Sequence, residues 1–281
     1  DFNVPDYIKE AAVEAINDNY HKYSPVDGYL DLKKAICKKF KRDNNLNYDV
    51  DQIVVSTGAK QSIANVCMSL INKGDEVLIP TPYWVSYSAM VELAEGVPVF
   101  INPDEDSNYK ITAQQLDSAI TDKTKMLMLN SPNNPSGSVF TEQEYLEFSK
   151  VLSKYPNIII VSDEIYEHIN YGVKSVSFAS LPGMYDRTVT VNGISKAYAM
   201  TGWRIGYLGA PKVIAKACNK MQGQITSGAN CIAQRATIKA LEESPEKIQY
   251  MVDEFKIRRD FIIDLVTKIN GFNIKQPPMG A

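Results

Sequence analysis

Seven short apolar runs recur along the chain, and most are apolar throughout rather than alternating with polar residues. They are Ile53-Val54-Val55, Val77-Leu78-Ile79, Val97 to Ile101, Met126 to Leu129, Ile158 to Val161, Val189-Thr190-Val191 and Ile205 to Leu208. A strand covered on one face alternates; a strand covered on both faces reads as a continuous apolar run. Helix-like segments separate the runs. Asp27 to Phe40 carries Leu30, Ala35, Ile36 and Phe40 on a rough helical period. Thr141 to Leu152 opens with Thr141 and Glu144, the spacing of a capping box. This order predicts a doubly wound α/β fold, a mostly parallel sheet with helices on both faces. Its ligand crevice is expected beyond the carboxyl ends of the strands.

The end of the chain departs from this rhythm. Ile248, Met251, Val252, Phe255, Ile262, Leu265, Val266 and Ile269 repeat at three and four, which predicts one long helix over 245–269. Arg258 and Arg259 interrupt its middle, as expected where a helix passes between two packing surfaces.

Composition removes several classes of function. Lys and Arg total 30 against 33 Asp and Glu, so a net charge of -3 gives no basis for nucleic acid or an anionic membrane as partner. No apolar run approaches the roughly 20 residues of a membrane-spanning helix. Cys37, Cys67, Cys218 and Cys231 are far apart and lack C-x-x-C spacing, which reads as reduced structural thiols in a cytoplasmic protein. His21 and His168 are the two histidines, too few for a His/Cys zinc site, so no metal is expected. Nor is there a G-x-S-x-G elbow or a G-x-G-x-x-G loop. Chemistry here has to rely on Lys, Tyr, Asp and Arg, or on an organic cofactor.

The loops after the strands carry such residues. Gly58-Ala59-Lys60 opens a helix after the first run; it can cradle a phosphate, or be a plain strand-to-helix turn. Trp84 follows the second run and offers either a packed aromatic or a plate for a ring. Asn130 to Gly137 forms a rigid turn rich in amide donors. Asp163 and Tyr166 follow the fifth run, where a carboxylate is costly without a cation. Lys196 follows the sixth among small and aromatic residues, and Arg204 comes shortly after. A desolvated lysine has a lowered pKa and can form Schiff bases. Phosphate cradle, aromatic plate, amide, buried acid, tyrosine, lysine and arginine together fit pyridoxal 5'-phosphate.

The run from Gly193 to Gly206, Gly-Ile-Ser-Lys-Ala-Tyr-Ala-Met-Thr-Gly-Trp-Arg-Ile-Gly, resembles the pyridoxal-phosphate attachment signature of class I aminotransferases. Ser131 to Gly137, Val161 to Tyr166 and Thr81 to Tyr87 are similar to further motifs of that family, in the same order and spacing. The nearest resemblance is to the bacterial-type aspartate aminotransferases, some of which also use prephenate. It implies a fold-type-I pyridoxal-phosphate transferase with a seven-stranded sheet and part of a small α+β domain. The implied segments are 1–22 on the small-domain side, a cofactor-binding large domain over 23–244, and a linking helix with the start of the small domain over 245–281. The implied reaction is ping-pong transamination between an amino acid, L-aspartate, and 2-oxoglutarate.

Residue by residue, the resemblance implies that Lys196 carries the cofactor and then shuttles the substrate proton. Asp163 would pair with the ring nitrogen, Tyr166 and Asn134 with the ring oxygen, and Trp84 would stack on the ring. Gly58, Ala59, Ser195 and Arg204 would hold the phosphate. Tyr23 would reach the phosphate of a neighbouring subunit, making a homodimer. Lys60 would meet the distal carboxylate of the substrate. Trp84 and Asn134 would also touch substrate. One departure stands at Gly193, where animal-type relatives have a phosphate-binding serine; Ser195 is the substitute. The resemblance also implies a chain truncated at both ends, with the arginine that clamps the substrate α-carboxylate lying beyond Ala281. Cofactor binding with poor or absent transamination is then expected of these residues alone, and an ordinary aminotransferase if the chain continues beyond them. Other readings share parts of this pattern: another class I pyridoxal-phosphate enzyme, such as a carbon–sulfur lyase or an aminotransferase for neutral, aromatic or prephenate substrates; a non-catalytic cofactor-binding fragment or sensor domain; and a dinucleotide-binding domain, which the missing G-x-G-x-x-G disfavours.

Overall fold

Each of the seven apolar runs forms a strand. The computed structural model describes residues 2–274 and 276–281. Asp1 and Lys275, which fall in the first and last expected segments, lie outside the described residues. In chain order the elements are α1 (Asp6–Asn17), α2 (Leu30–Asn44), β1 (Ile53–Ser56), α3 (Ala59–Leu70), β2 (Glu76–Pro80), α4 (Ser86–Leu93), β3 (Val97–Ile101) and α5 (Ala113–Ala119). There follow β4 (Thr124–Asn130), α6 (Glu142–Leu152), β5 (Ile159–Asp163), β6 (Thr188–Gly193), β7 (Gly206–Gly209), α7 (Lys212–Ile225), α8 (Cys231–Glu242) and α9 (Gln249–Val266).

The strands form one sheet in the order β1-β7-β6-β5-β4-β2-β3. The pairings from β6 through β5, β4 and β2 to β3 are parallel, whereas β7 runs antiparallel to both β6 and β1. Because β7 alone is reversed, the carboxyl ends of the other six strands share one edge of the sheet. Pro98 cannot donate a ladder hydrogen bond, and it sits in the edge strand β3.

Side-chain burial explains why the runs do not alternate. Met126 and Met128 of β4 enter one apolar cluster, while Leu127 and Leu129 enter another on the opposite face. Val54 faces away from Ile53 and Val55 in the same manner. One face is covered by α3, α4 and α7 through residues such as Ile63, Val91 and Ile214. The other is covered by α1, α2 and α8 toward one end, and by α5 and α6 toward the other. Ile8 and Ala12 of α1 share a cluster with Leu32 and Ile36 of α2, so the first helix packs on the body of the fold.

Local signals set the helix ends. Thr141 accepts a hydrogen bond from the Glu144 amide at 3.3 Å, and the Glu144 carboxylate accepts one from the Thr141 amide at 2.7 Å. That is the reciprocal box the spacing predicts. The expected long helix over 245–269 is shorter and broken at its start. Pro245 to Ile248 form a 3-10 turn capped by Ser244, α9 begins at Gln249, and it ends at Val266. Proline at the first position favours a tight turn closed by the Lys247 amide on the Ser244 carbonyl. Met251 and Val252 are buried, but Phe261, Ile262 and Leu265 farther along are exposed. Arg259 leaves this stripe: its Nη1 donates to the Pro278 carbonyl at 2.9 Å and its guanidinium lies 4.6 Å from the Tyr171 ring centre.

Candidate functional site

The loops leaving β1, β2, β4, β5 and β6 meet at the shared edge of carboxyl ends and enclose a cavity of about 260 Å³. Ala59, Lys60, Trp84, Asn134, Asp163, Tyr166, Ser195, Lys196 and Arg204 line it. Gly58 stands at its border, where a side chain would run into the Arg204 guanidinium. Tyr23 is elsewhere. It is 95% exposed and borders a separate concavity with Gly228 to Ile232.

One end of the cavity is built for an anion. Gly58 has φ +83° and starts α3 without a side-chain cap, so the first amides of the helix are donors free for an outside acceptor. The backbone of β7 comes so close that a Cβ on Gly206 would strike the Ala59 amide. Arg204 stands in the left-handed region (φ 57°) after the 3-10 turn Thr201–Trp203, and its Nη1 donates to the Thr201 carbonyl at 2.9 Å. A cation, a helix N-terminus and the neighbouring Ser195 thus converge on one place.

The same cavity also holds an acid. Asp163 is 4% exposed at the end of β5. Its Oδ2 accepts from the Tyr87 hydroxyl at 2.6 Å and its Oδ1 from the Ile165 amide at 3.2 Å. Burial pushes its carboxyl up to about 6; the two hydrogen bonds and the more distant charge of Lys196 offset only part of that. Among the described residues no ion pair engages it. A ligand bringing a cation to Asp163 would relieve this penalty.

The middle is lined by amide, phenol and amine. Asn134 Nδ2 lies 3.5 Å from the Tyr166 hydroxyl, and Lys196 Nζ lies 5.4 Å from the Tyr166 ring centre. Asn130 braces both sides: its Oδ1 accepts from the Asn134 amide at 2.8 Å and its Nδ2 donates to the Asp163 carbonyl at 2.9 Å. Trp84 forms one wall, edge-on to Tyr87 with ring centres 5.5 Å apart. Lys60 is exposed at the rim with its Nζ 4.8 Å from the Trp84 ring centre.

Sequence reasoning gave no role to Tyr87 and placed Asn130 only within a turn rich in amide donors; both prove to be neighbours of Asp163. The signal for Tyr87 was its place three residues after Trp84, which puts the two on one face of a helical turn.

An acid lacking a cation, an amine within reach of a phenol, and an anion cradle in one cavity fit the pyridoxal-phosphate group inferred from the loops. Comparison with known proteins bears on the same point. The family model described as aminotransferase class I and II matches residues 1–280. The bifunctional aspartate aminotransferase and glutamate/aspartate-prephenate aminotransferase of Petunia hybrida is 44% identical over 281 residues, 99% of this chain and 59% of the petunia protein. A probable aspartate/prephenate aminotransferase of Rickettsia typhi is 46% identical over 279 residues, 99% of this chain and 70% of its own. The crystal structure of the aspartate aminotransferase from Rhizobium meliloti superposes with a TM-score of 0.98 at 44% identity, covering 100% of this chain and 70% of that one. The chain therefore spans between about three fifths and about seven tenths of these relatives. With a family model over nearly its whole length, and this cavity at the strand ends, the chain belongs to the class I and II aminotransferases.

Proposed function

We propose that this chain holds pyridoxal 5'-phosphate in the cavity and serves amino-group transfer between L-aspartate and 2-oxoglutarate by a ping-pong mechanism. One observation carries the reading: Lys196 and a buried acid without a cation, Asp163, line the same cavity with an anion cradle at its side. Bound there, the cofactor supplies an electron sink for the bond changes at the substrate Cα.

The residues divide the remaining work. Asp163 receives the positive ring nitrogen, held in place by Tyr87 and the Ile165 amide. Tyr166 and Asn134 donate to the ring oxygen from the positions their mutual contact fixes. The α3 N-terminus, Ser195 and Arg204 bind the phosphate. Trp84 keeps one ring face dry. Lys196 would hold the cofactor and move the proton at the substrate Cα. Lys60 at the rim takes the distal carboxylate, which selects a dicarboxylic substrate; the relatives named for aspartate support this choice.

Tyr23, exposed in the segment between α1 and α2, reaches a second copy in a homodimer. The same reading divides the chain into 1–22, 23–244 and 245–281, with α1 of the first segment packed on the second. A cytoplasmic location belongs to the same reading and is supported by four free cysteines.

Purified protein mixed with pyridoxal phosphate is expected to turn yellow, and Lys196→Ala to lose that band. Aspartate should bleach it and 2-oxoglutarate restore it. A protein that takes up no cofactor would overturn the reading.

A further inference from the structure

Behind the cavity lies a second cluster of charges that the proposed reaction does not use. The turn that follows β5 places its side chains on two sides. Asp163 and Tyr166 face the cavity, whereas Glu164 and Glu167 point the other way and are 3% and 6% exposed. Each site residue is thus followed in sequence by a buried acid.

Glu167 is the hub of this cluster. Its carboxylate pairs with the ammonium of Lys39, which comes from α2 and is itself 1% exposed. Its Oε2 accepts from Asn44 at 2.6 Å and its Oε1 from Asn192 at 2.7 Å. Lys39 Nζ also donates to Asn44 Oδ1 at 2.7 Å. Glu164 is satisfied by Ser162, Ser177, the Phe178 amide and Asn44. Burial alone would raise the Glu167 carboxyl, but the Lys39 ammonium, with His168 and the Asn44 hydrogen bond, outweighs it and holds the group at about 2. Asp43 and His168 also border Glu167 and together could ligate a metal ion. The Lys39 ammonium already fills a cation's place on Glu167, so the cluster is not read as a metal site.

The connections of Asn192 give the cluster its meaning. Asn192 donates to Glu167, one residue after Tyr166, and its Oδ1 accepts from the Gly193 amide at 2.7 Å, three residues before Lys196. One carboxylate therefore references both the turn that carries Tyr166 and the segment that leads to Lys196, and α2 supplies its counter-charge. A buried ion pair is a poor source of stability, because well-packed neutral side chains of similar volume do as well or better. What such a pair does supply is directional, fully satisfied contacts that accept one arrangement.

We propose that the buried Lys39–Glu167 pair, with Asn192, is a positioning device that sets where Tyr166 and Lys196 stand relative to each other at the reactive end of the cavity. The proposal rests on the cofactor reading given above. Lys39 and Glu167 touch neither cofactor nor substrate and act through the segments they hold.

The test is the double variant Lys39→Met/Glu167→Gln, which removes both charges and nearly keeps their volume. The Asn44 oxygen freed by Lys39 can accept from the new amide. Thermal unfolding and the pH titration of the visible band are measured on wild type and variant, each loaded with pyridoxal phosphate. The expected result is a melting midpoint within a few degrees of wild type, and a band that still depends on Lys196. Its titration midpoint should move by at least about half a pH unit, roughly threefold in proton affinity. With aspartate, kcat for the half-reaction should fall about tenfold and KM should change little, as expected for misplaced reacting groups. Asn192→Ala cuts the link but leaves the charge pair whole; it carries the same readouts should the double variant not fold. An unmoved titration midpoint and kcat in a variant that loads normally overturns the proposal alone. A wild-type protein that takes up no cofactor overturns the functional reading, and this proposal with it.

Discussion

The Tyr87 hydroxyl lies 2.6 Å from Oδ2 of Asp163 and donates to it within a fully buried pair. This bond keeps a solvent-starved carboxylate oriented toward the cavity. Removing it with Tyr87→Phe leaves Asp163 with the Ile165 amide as its remaining hydrogen-bond donor among the described residues. Hydrogen bonds to charged groups contribute about 1.5–3 kcal/mol. The dissociation constant of pyridoxal phosphate is therefore expected to rise by roughly one order of magnitude or more. Absorbance titration with the cofactor measures it, and an unchanged constant would show that Asp163 needs no such support.

The same acid makes the cofactor-free protein sensitive to pH. Asp163 is raised to about 6 in the fold, from 3.8 in an unfolded chain. Between those values the folded state holds a proton that the unfolded state releases, so stability falls as pH rises through the window. Above about pH 6 the penalty is complete, on the order of 3 kcal/mol. Asp163→Asn removes it and loses one hydrogen bond of about 1 kcal/mol. The cofactor-free variant should be slightly less stable than wild type near pH 4 and more stable at pH 7. Parallel denaturant titrations at the two pH values check this; a constant offset would contradict it.

Lys60 offers a selectivity test. Its ammonium is exposed over the Trp84 ring at the cavity rim. Lys60→Ala should weaken binding of a four-carbon dicarboxylate to the cofactor-loaded protein by up to about 1 kcal/mol, because a solvated ion pair is worth little more. Binding of a neutral amino acid should change less than twofold or so on the same grounds. Equal losses for both ligands would remove Lys60 from substrate selection.

Gly206 and Gly202 form a matched pair for the anion cradle. A Cβ at Gly206 would meet backbone atoms of Gly58 and Ala59, which cannot move without shifting the start of α3. A Cβ at Gly202 meets nothing within 4 Å. Gly206→Ala should cost about 1–3 kcal/mol in stability through overpacking and weaken inorganic phosphate binding, while Gly202→Ala should do neither. Thermal scans with and without phosphate compare them directly.

The strands were legible because burial on both faces writes itself into consecutive residues, as Met126 to Leu129 show by pointing in turn into two clusters. The Thr141 box was legible because its partners are three residues apart. The residues lining the cavity were readable as strand-end residues, and the resemblance supplied their expected roles. Tyr23 was placed with them on the strength of a second copy, and in the single chain it stands apart. The charge cluster behind the site was not legible. Lys39 lies in Lys38-Lys39-Phe40-Lys41, which reads as a solvated helix face, and its partner Glu167 is 128 residues away. Only tertiary contact decides that one lysine of that run is buried. The start of α9 was misread for a local reason, since the apolar period continues through a turn that Pro245 tightens.

The reversed strand β7 has a consequence for how the chain comes off the ribosome. β1 emerges before the other strands, yet among the described residues its sole neighbour in the sheet is β7, formed by residues 206–209. Until those residues are made, β1 and the Gly58 turn behind it have no ladder to join. The parallel strands β2 to β6 can assemble among themselves meanwhile. The anion cradle is therefore among the last parts of the cavity to form, although its glycine is among the first to be synthesised, and its completion waits on closure of a long loop.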